Sequence, residues 1–216
     1  GMRRFTVCTL AFAAVAAVPS SFADLSTVVF SLTATNAQGT GTFEATVDQG
    51  AWSGDNYNWS GAGIEITNES GDVIASMVSG RFTAVADPQV GLIFDVLAGG
   101  SDTTFTISSG LLSFPAINGA TGIASAGLTV TDAGQDTGAL ATGLGGSGSS
   151  AYQANYNGAV PAGTIFAEFI NSVVVGTPGG TNSAVGSTGG FLAIGGPVSS
   201  MSTAYSFRLS ANDSAS

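Results

Sequence analysis

The sequence predicts an all-β fold: an antiparallel β-sandwich or jelly-roll-like arrangement of about ten strands with long Gly/Ser-rich loops. Short segments in which apolar and small polar residues alternate recur along the chain, as where Phe105 and Ile107 follow Thr104 and Thr106. Gly, Asn, Asp or Pro separates these segments, which is typical of strands joined by tight turns. No segment after residue 23 has helical periodicity. Because the turns are short, the strands are expected to be mostly antiparallel.

The predicted elements begin with a hairpin, in which segment 26–35 pairs with segment 40–48 across the turn Asn-Ala-Gln-Gly. The further predicted strands follow in this order: 62–68, 72–80, 80–86, 89–99, 102–117, 123–133, 163–175, 189–196 and 202–210.

Three segments do not have a strand pattern. Residues 149–158 have a turn or two of helical pattern, and the Gly/Ser-rich residues 142–151 and 177–190 are predicted to be surface loops. A division into two domains at residue 143 is the alternative to one domain, and we favour a single β-sandwich domain over 24–216.

The N-terminus, residues 1–23, has the pattern of a signal peptide. Arg3 and Arg4 precede an apolar run over 5–18, and a small-x-small cleavage site follows at 21–23. The run is shorter than the roughly 20 apolar residues that a membrane-spanning helix needs. Gly1 before Met2 is typical of a residue left by tag removal. The pattern predicts an exported bacterial protein, at the cell surface or outside the cell, with no membrane span after signal removal.

The charge balance is strongly acidic. The whole chain carries a formal charge of −10, and after removal of residues 1–23 two arginines, Arg81 and Arg208, stand against fourteen acidic residues, a net charge of −12. No cluster of cations exists to neutralise phosphates, so nucleic acids and anionic membranes are excluded as partners. Charged residues make up 8% of the chain, so Ser, Thr, Asn and Gly must cover most of the surface.

The missing residue types exclude most catalytic chemistry. The chain has no His and no Lys, and its one cysteine, Cys8, lies inside the predicted signal peptide. Ser-His-Asp, Ser-Lys, Cys-His and Schiff-base mechanisms therefore have no base or nucleophile. Carboxylate pairs remain, as in a glycosidase, with Glu65, Glu69 and Glu168 as candidates and Glu44 as a weaker one. We predict no enzyme activity and no organic cofactor.

The segment 48–61 is the best ligand candidate in the sequence. It contains Trp52, Tyr57 and Trp59 among acidic and amide side chains. Aromatic faces beside such groups suit a sugar, which has apolar C–H faces and a rim of hydroxyls. The alternative is that Tyr57 and Trp59, two residues apart, pack inward from one face of a strand.

A structural calcium ion is the one metal that the sequence allows. Asp132 and Asp136 flank a glycine in Asp-Ala-Gly-Gln-Asp, and carboxylate oxygens are ligands that Ca²⁺ prefers. The spacing does not match the EF-hand loop, and acidic residues are also common in ordinary turns.

The second half of the chain contains three distinctive phrases: DPQVGLIFDVLAGGSDTTFTISSGLLSFP, GIASAGLTVTDAGQDTGAL and YSFRLSANDSAS. These phrases resemble exported bacterial PEP-CTERM proteins of the planctomycete style. The resemblance covers residues 86–216. It implies a β-rich surface protein associated with the envelope or with extracellular polysaccharide, and it supplies no catalytic residues. The Pro-Glu-Pro motif, apolar helix and basic end of that family do not follow Ser216.

Together these features predict a non-catalytic structural or interaction protein of the cell surface or extracellular matrix. Its expected partners are extracellular polysaccharide or other surface proteins, and strand edges without lysine allow self-association by strand addition. The alternatives are a carbohydrate-binding module and, less favoured, a glycosidase. The chain ends on a predicted strand, 202–210, followed by the turn signal Asn212-Asp213, which predicts a turn towards a neighbouring strand.

Overall fold

The computed structural model describes residues 23–147 and 149–216. Over these residues the chain is nearly all β, with antiparallel sheets, which confirms the predicted all-β sandwich. The predicted signal peptide lies outside the described residues except for Ala23.

The described residues form nineteen strands and one 3-10 helix, Val47–Gln49. The strands are β1 Asp24–Leu25, β2 Val28–Asn36, β3 Gly39–Thr46, β4 Ala51–Ser53, β5 Asn56–Thr67, β6 Val73–Val85, β7 Gln89–Ala98, β8 Thr103–Ser109, β9 Leu112–Ile117, β10 Thr121–Gly122, β11 Ser125–Thr131, β12 Ala139–Gly143, β13 Tyr152–Tyr156, β14 Thr164–Phe169, β15 Ser172–Val175, β16 Thr181–Ser187, β17 Leu192–Ala193, β18 Val198–Leu209 and β19 Ser214–Ala215.

Two large sheets and one small one contain these strands. The first has ten strands, with the main order β1-β9-β18-β8-β2-β3 and with β12 to β15 branching from β18. The second has seven strands in the order β16-β11-β19-β7-β6-β5-β4, and β10 pairs with β17 alone. The long strand β18 organises the first sheet, because it pairs with β8, β9, β12 and β13.

The core lies between the two large sheets. Phe207 of β18 is fully buried, with its ring centroid 5.9 Å from that of Phe94 on β7 and 5.7 Å from that of Phe105 on β8. Phe94 belongs to the second sheet and Phe207 to the first, so this stack joins the sheets face to face. The alternation of the sequence produces this arrangement, because every second side chain of a strand points to the same face.

The structure corrects the number and placement of several elements. It has nineteen strands where about ten were predicted, because the segments 102–117 and 163–175 each contain two strands and because strands of only two or three residues have no pattern of their own. The segment with a weak helical pattern contains β13, which pairs with β14 and β18, and the Gly/Ser-rich segment 177–190 contains β16, which pairs with β11. Local composition disfavoured both strands, but their partners satisfy the backbone hydrogen bonds, and that contribution outweighs weak propensity.

Candidate functional site

The three aromatic residues of the predicted sugar platform do not lie together on the surface. Trp52 is 42% exposed, whereas Tyr57 is fully buried and Trp59 is 5% exposed. The Trp59 ring lies 4.7 Å from that of Phe30, and the Tyr57 hydroxyl donates a hydrogen bond to the carbonyl of Val47 (3.0 Å). The alternation of β5 turns both residues inward. The platform prediction is therefore wrong, since one exposed ring remains.

The candidate carboxylates do not form a pair in a cleft. Glu65 is exposed on β5 of the second sheet, whereas Glu168 is half-buried on β14 of the first. The Glu168 carboxylate accepts hydrogen bonds from the backbone amide and the hydroxyl of Ser147, both at 2.7 Å. Glu168 thus stabilises the loop that contains Ser147. Glu44 and Glu69 are exposed.

Asp132 organises the loop that follows β11. Its side chain is almost fully buried, and its carboxylate accepts hydrogen bonds from the backbone amides of Gln135 (2.8 Å), Gly138 (3.0 Å) and Gly179 (3.1 Å). Burial alone would raise the pKa of Asp132, but these amides and that of Asp136 outweigh it, so the pKa lies below its ordinary value. Asp136 is exposed. Asp132 therefore carries negative charge in the native state.

A second carboxylate, which the sequence analysis treated only as part of a turn, lies beside Asp132. Asp213 is 1% exposed; its Oδ2 accepts a hydrogen bond from the Ser210 hydroxyl, and its Oδ1 accepts none. Burial raises the pKa of Asp213 most, the Ser210 hydroxyl lowers it, and the charge of Asp132, together with a hydrogen bond shared between the two carboxyl groups, raises it further. No group of three or more His, Cys, Asp or Glu side chains in the described residues has a ready metal-binding arrangement.

A groove lies in the middle of the second sheet. Strand β19 lies between β7 and β11, but it pairs with β11 only at Val130 and Thr131 and with β7 only at Val96 and Leu97. Ser216 adds two backbone hydrogen bonds to Thr129, of 2.7 and 2.9 Å. Beyond Ser216, no strand of the described residues lies between β7 and β11. The groove there has a volume of about 840 Å³.

Where it meets β19, the groove has the width of one extended strand. At Ser214 and Ala215 the strands β7 and β11 are both paired with β19, so they lie two inter-strand spacings apart, roughly 9–10 Å. Leu92, Ile93 and Phe94 line one wall of the groove, and 125–127 of β11 line the other. The groove runs from Thr129 to Ser125, roughly 14 Å at the rise of a β-strand.

The backbone groups that face into the groove follow from the pairing of β19. Thr129 exchanges both hydrogen bonds with Ser216, so Gly127 and Ser125 also turn their N–H and C=O groups to this side. On β7, Ala98 donates to Asp213 (2.9 Å), so by the same alternation Phe94 and Leu92 face the groove. Both walls thus present strand-pairing groups.

Tyr205 of β18 forms the floor of the groove. Its ring meets that of Phe94 edge-on at 4.9 Å, and its hydroxyl donates a hydrogen bond to the carbonyl of Gly127 (3.2 Å). Burial, with a contribution from the nearby Tyr152, raises the pKa of Tyr205 to about 12. The floor of the groove is therefore apolar except for the Tyr205 hydroxyl, which is hydrogen-bonded to the β11 wall.

We expect Tyr205→Phe to lower the free energy of unfolding at pH 7 by about 0.5–1.5 kcal/mol, because the hydrogen bond to Gly127 is lost. The folded pKa of Tyr205, about 12, lies above the ordinary value of 10.0. The stability that the neutral phenol contributes is therefore complete below pH 10 and is lost as the pH rises through 12. In urea unfolding, the difference in the free energy of unfolding between wild type and Tyr205→Phe should be smaller at pH 11 than at pH 7.

Tyr156→Phe, at a half-buried tyrosine of β13, is the matched control for this measurement. If the difference in the free energy of unfolding between wild type and Tyr205→Phe grows as the pH rises, the Tyr205 phenol is not buried as described.

The turn at Asn212-Asp213 was predicted, but neither the groove nor the burial of Asp213 was. A turn signal predicts that the chain reverses, but it does not indicate which sheet Ser214 enters.

Comparison with known proteins adds no relative. No family model matches the chain, and no curated protein matches it. Among solved structures, the infectious bursal disease virus Gt strain is similar at 14% identity over 93% of this chain and 57% of that chain, with a TM-score of 0.14. A similarity of this size carries no argument about fold or function.

Proposed function

We propose that this protein is a non-catalytic structural or interaction protein of the cell surface or extracellular matrix, and that the groove between β7 and β11 binds an extended polypeptide segment. The observation that carries the proposal is β19 itself. Two residues of this chain already occupy the same position in the sheet and pair antiparallel with both walls. The rest of the groove has the same pairing groups on each side.

The chemistry of the bound segment follows from the alternation of β19. Ala215 is buried and Ser216 is exposed, so a segment that continues this line would point its first and third side chains inward and its second and fourth outward. The inward positions face Phe94 and Tyr205, which favours small apolar residues there. Backbone hydrogen bonds supply affinity, as in other cases of strand addition.

Export to the cell surface rests on the N-terminal pattern, on the resemblance to PEP-CTERM proteins and on the sparsely charged composition. In the part of the chain that the structure describes, no helix is long and apolar enough to span a membrane. Net negative charge disfavours acidic partners at long range.

The groove can be tested with a peptide and with a tail. A fluorescein-labelled peptide Ser-Val-Thr-Val-Thr-Ser should bind the protein saturably in a fluorescence anisotropy titration. Appending Val-Thr-Val-Thr after Ser216 should fill the groove in cis. We expect this tail to raise the melting temperature by about 2–8 °C, from roughly 1–2 kcal/mol of added pairing, and to weaken peptide binding at least tenfold.

The matched controls replace both threonines by proline, giving Ser-Val-Pro-Val-Pro-Ser and the tail Val-Pro-Val-Pro. Proline has no N–H for the β11 wall, so the control peptide should bind at least tenfold more weakly and the control tail should leave the melting temperature unchanged. Equal behaviour of the threonine and proline versions would overturn the proposal. Self-association of the wild type in sedimentation, abolished by the Val-Thr tail, would identify a second copy as the partner.

A further inference from the structure

A second cavity lies at the far end of the groove, away from β19. It has a volume of about 580 Å³, and its walls come from the start of β7 and the segment before β11 as well as from β9, β13 and β18 of the first sheet. Ser125 lines both cavities, and along β7 the lining passes from 92–94 in the groove to 87–90 in the second cavity. The second cavity therefore continues the groove along both of its walls.

Apolar side chains line most of this second cavity, which we call the aromatic pocket. Phe114 and Tyr152 are buried there, at 9% and 8% exposure, whereas Tyr156, Phe166 and Met201 are only half-buried. Half-buried rings that line a cavity keep part of their apolar surface in water. An apolar group that enters the pocket would remove this surface from water, which is favourable.

The pairing register of β19 determines which residue of a bound segment reaches the aromatic pocket. Ala215 lies opposite Val96 of β7 and opposite Val130 of β11. An antiparallel strand that continues in this register moves one residue forward for each residue back along the two walls. The fifth residue after Ser216 therefore lies opposite Val90 and Ala124, and both of these line the aromatic pocket.

The side chain of that fifth residue points inward. Ala215 is buried, and side chains alternate along a strand, so the first, third and fifth residues after Ser216 share its face. Ala124 is 8% exposed and Val90 is half-buried, which places both on the inner face of the walls. A side chain at the fifth position would thus enter the pocket between them.

We propose that the aromatic pocket is the specificity pocket of the groove and takes a large apolar side chain, such as phenylalanine, at the fifth residue of the bound segment. This inference rests on the proposed function, because it identifies the sequence that the groove selects. The partner is an extended polypeptide with small apolar residues at its first and third positions and an aromatic residue at its fifth. Among the described residues, Asp87 is the only charged one that lines the pocket, so nothing there would neutralise an acidic side chain.

Two tails of identical composition test the pocket, and covalent continuity with Ser216 sets their register. The tail Val-Thr-Val-Thr-Phe-Thr places phenylalanine at the fifth, inward position, whereas Val-Thr-Val-Thr-Thr-Phe places it at the sixth, outward position. In calorimetry, the protein with the first tail should melt about 3–10 °C above the protein with the second, because only the first tail buries the ring.

Phe166→Ala, introduced into both tailed proteins, tests the contact itself. Phe166 lines the pocket, so its loss should reduce the difference in melting temperature between the two tails. Phe43→Ala is the matched control, since Phe43 is a half-buried phenylalanine that packs against Phe30 and Trp59 and does not line the pocket. It should leave the difference between the tails intact.

The outcomes separate this inference from the proposed function. Equal melting temperatures for the two tails, both above that of the Val-Pro-Val-Pro control, would overturn the inference alone and leave the pocket to a ligand other than the segment. A difference that keeps its full size in Phe166→Ala would also overturn it. If neither tail melts above the proline control, the proposed function fails, and this inference fails with it.

Discussion

Phe207→Ala is expected to lower the free energy of unfolding by about 3–5 kcal/mol, which is the usual cost of deleting a fully buried phenylalanine ring. Phe207 is 0% exposed and lies on the central strand of the first sheet, against Phe94 and Phe105. Strands β8 and β12 pair with β18 on either side of Phe207 and hold its backbone, so the cavity cannot close by a local shift. Guanidinium chloride unfolding with an unchanged slope would measure this loss.

Phe191→Ala is the matched control for this substitution. Phe191 is 70% exposed, so removal of the same ring there should change stability by no more than about 0.5 kcal/mol. Losses of equal size at the two positions would show that the sheets do not pack through Phe207. Because Phe207 supports Phe94, which lines the groove, Phe207→Ala should also weaken binding of the Val-Thr peptide.

Gly138→Ala should destabilise the protein by about 2–5 kcal/mol, through backbone strain and overpacking together. Gly138 has φ +95°, a conformation that L side chains rarely adopt, and a Cβ on it would lie 2.2 Å from the carbonyl oxygen of Val175. Its amide also donates to Asp132. The loop would have to move away from β15, and the bond to Asp132 would be lost with it. Thermal and chemical unfolding of the variant measure the loss.

Gly54→Ala isolates the conformational part of this effect. Gly54 has φ +59°, and no atom lies within 4 Å of the position that its Cβ would occupy. The expected loss is therefore about 1–2 kcal/mol, from backbone strain alone. If Gly138→Ala costs no more than Gly54→Ala, the close approach to Val175 does not constrain the loop.

The aromatic segment 48–61 shows how far local pattern reaches. Tyr57 and Trp59 lie two residues apart on one strand, so both rings are on the same face. The sequence leaves open whether that face is turned inward or outward. Phe30 and Phe82 decide between them, because they pack against these rings and remove them from water. Burial of large rings is worth several kcal/mol, which no weak sugar contact at the surface could match.

In the terminal segment, too, the residue types predict the local conformation but not the position in the fold. The turn at Asn212-Asp213 was predicted from residue type alone, and Asn212 indeed has positive φ (61°), which asparagine tolerates. Where the turn leads could not be predicted. Residues 214–215 leave the first sheet, to which β18 belongs, and enter the second between β7 and β11. That placement creates both the groove and the contact between Asp132 and Asp213.

The sequence by itself determined the all-β class, the alternation of side chains along the strands, the acidic and sparsely charged composition, and the absence of His and Lys. These properties depend on composition and on a period of two residues, which are local. Only the tertiary structure decided the order of strands, the burial of the aromatic residues and the neighbours of Asp213. Those depend on contacts between residues far apart in the chain, such as Asp132 and Asp213. A local pattern defines the face of the strand on which a side chain lies, but it does not define which residues of other strands pack against that face.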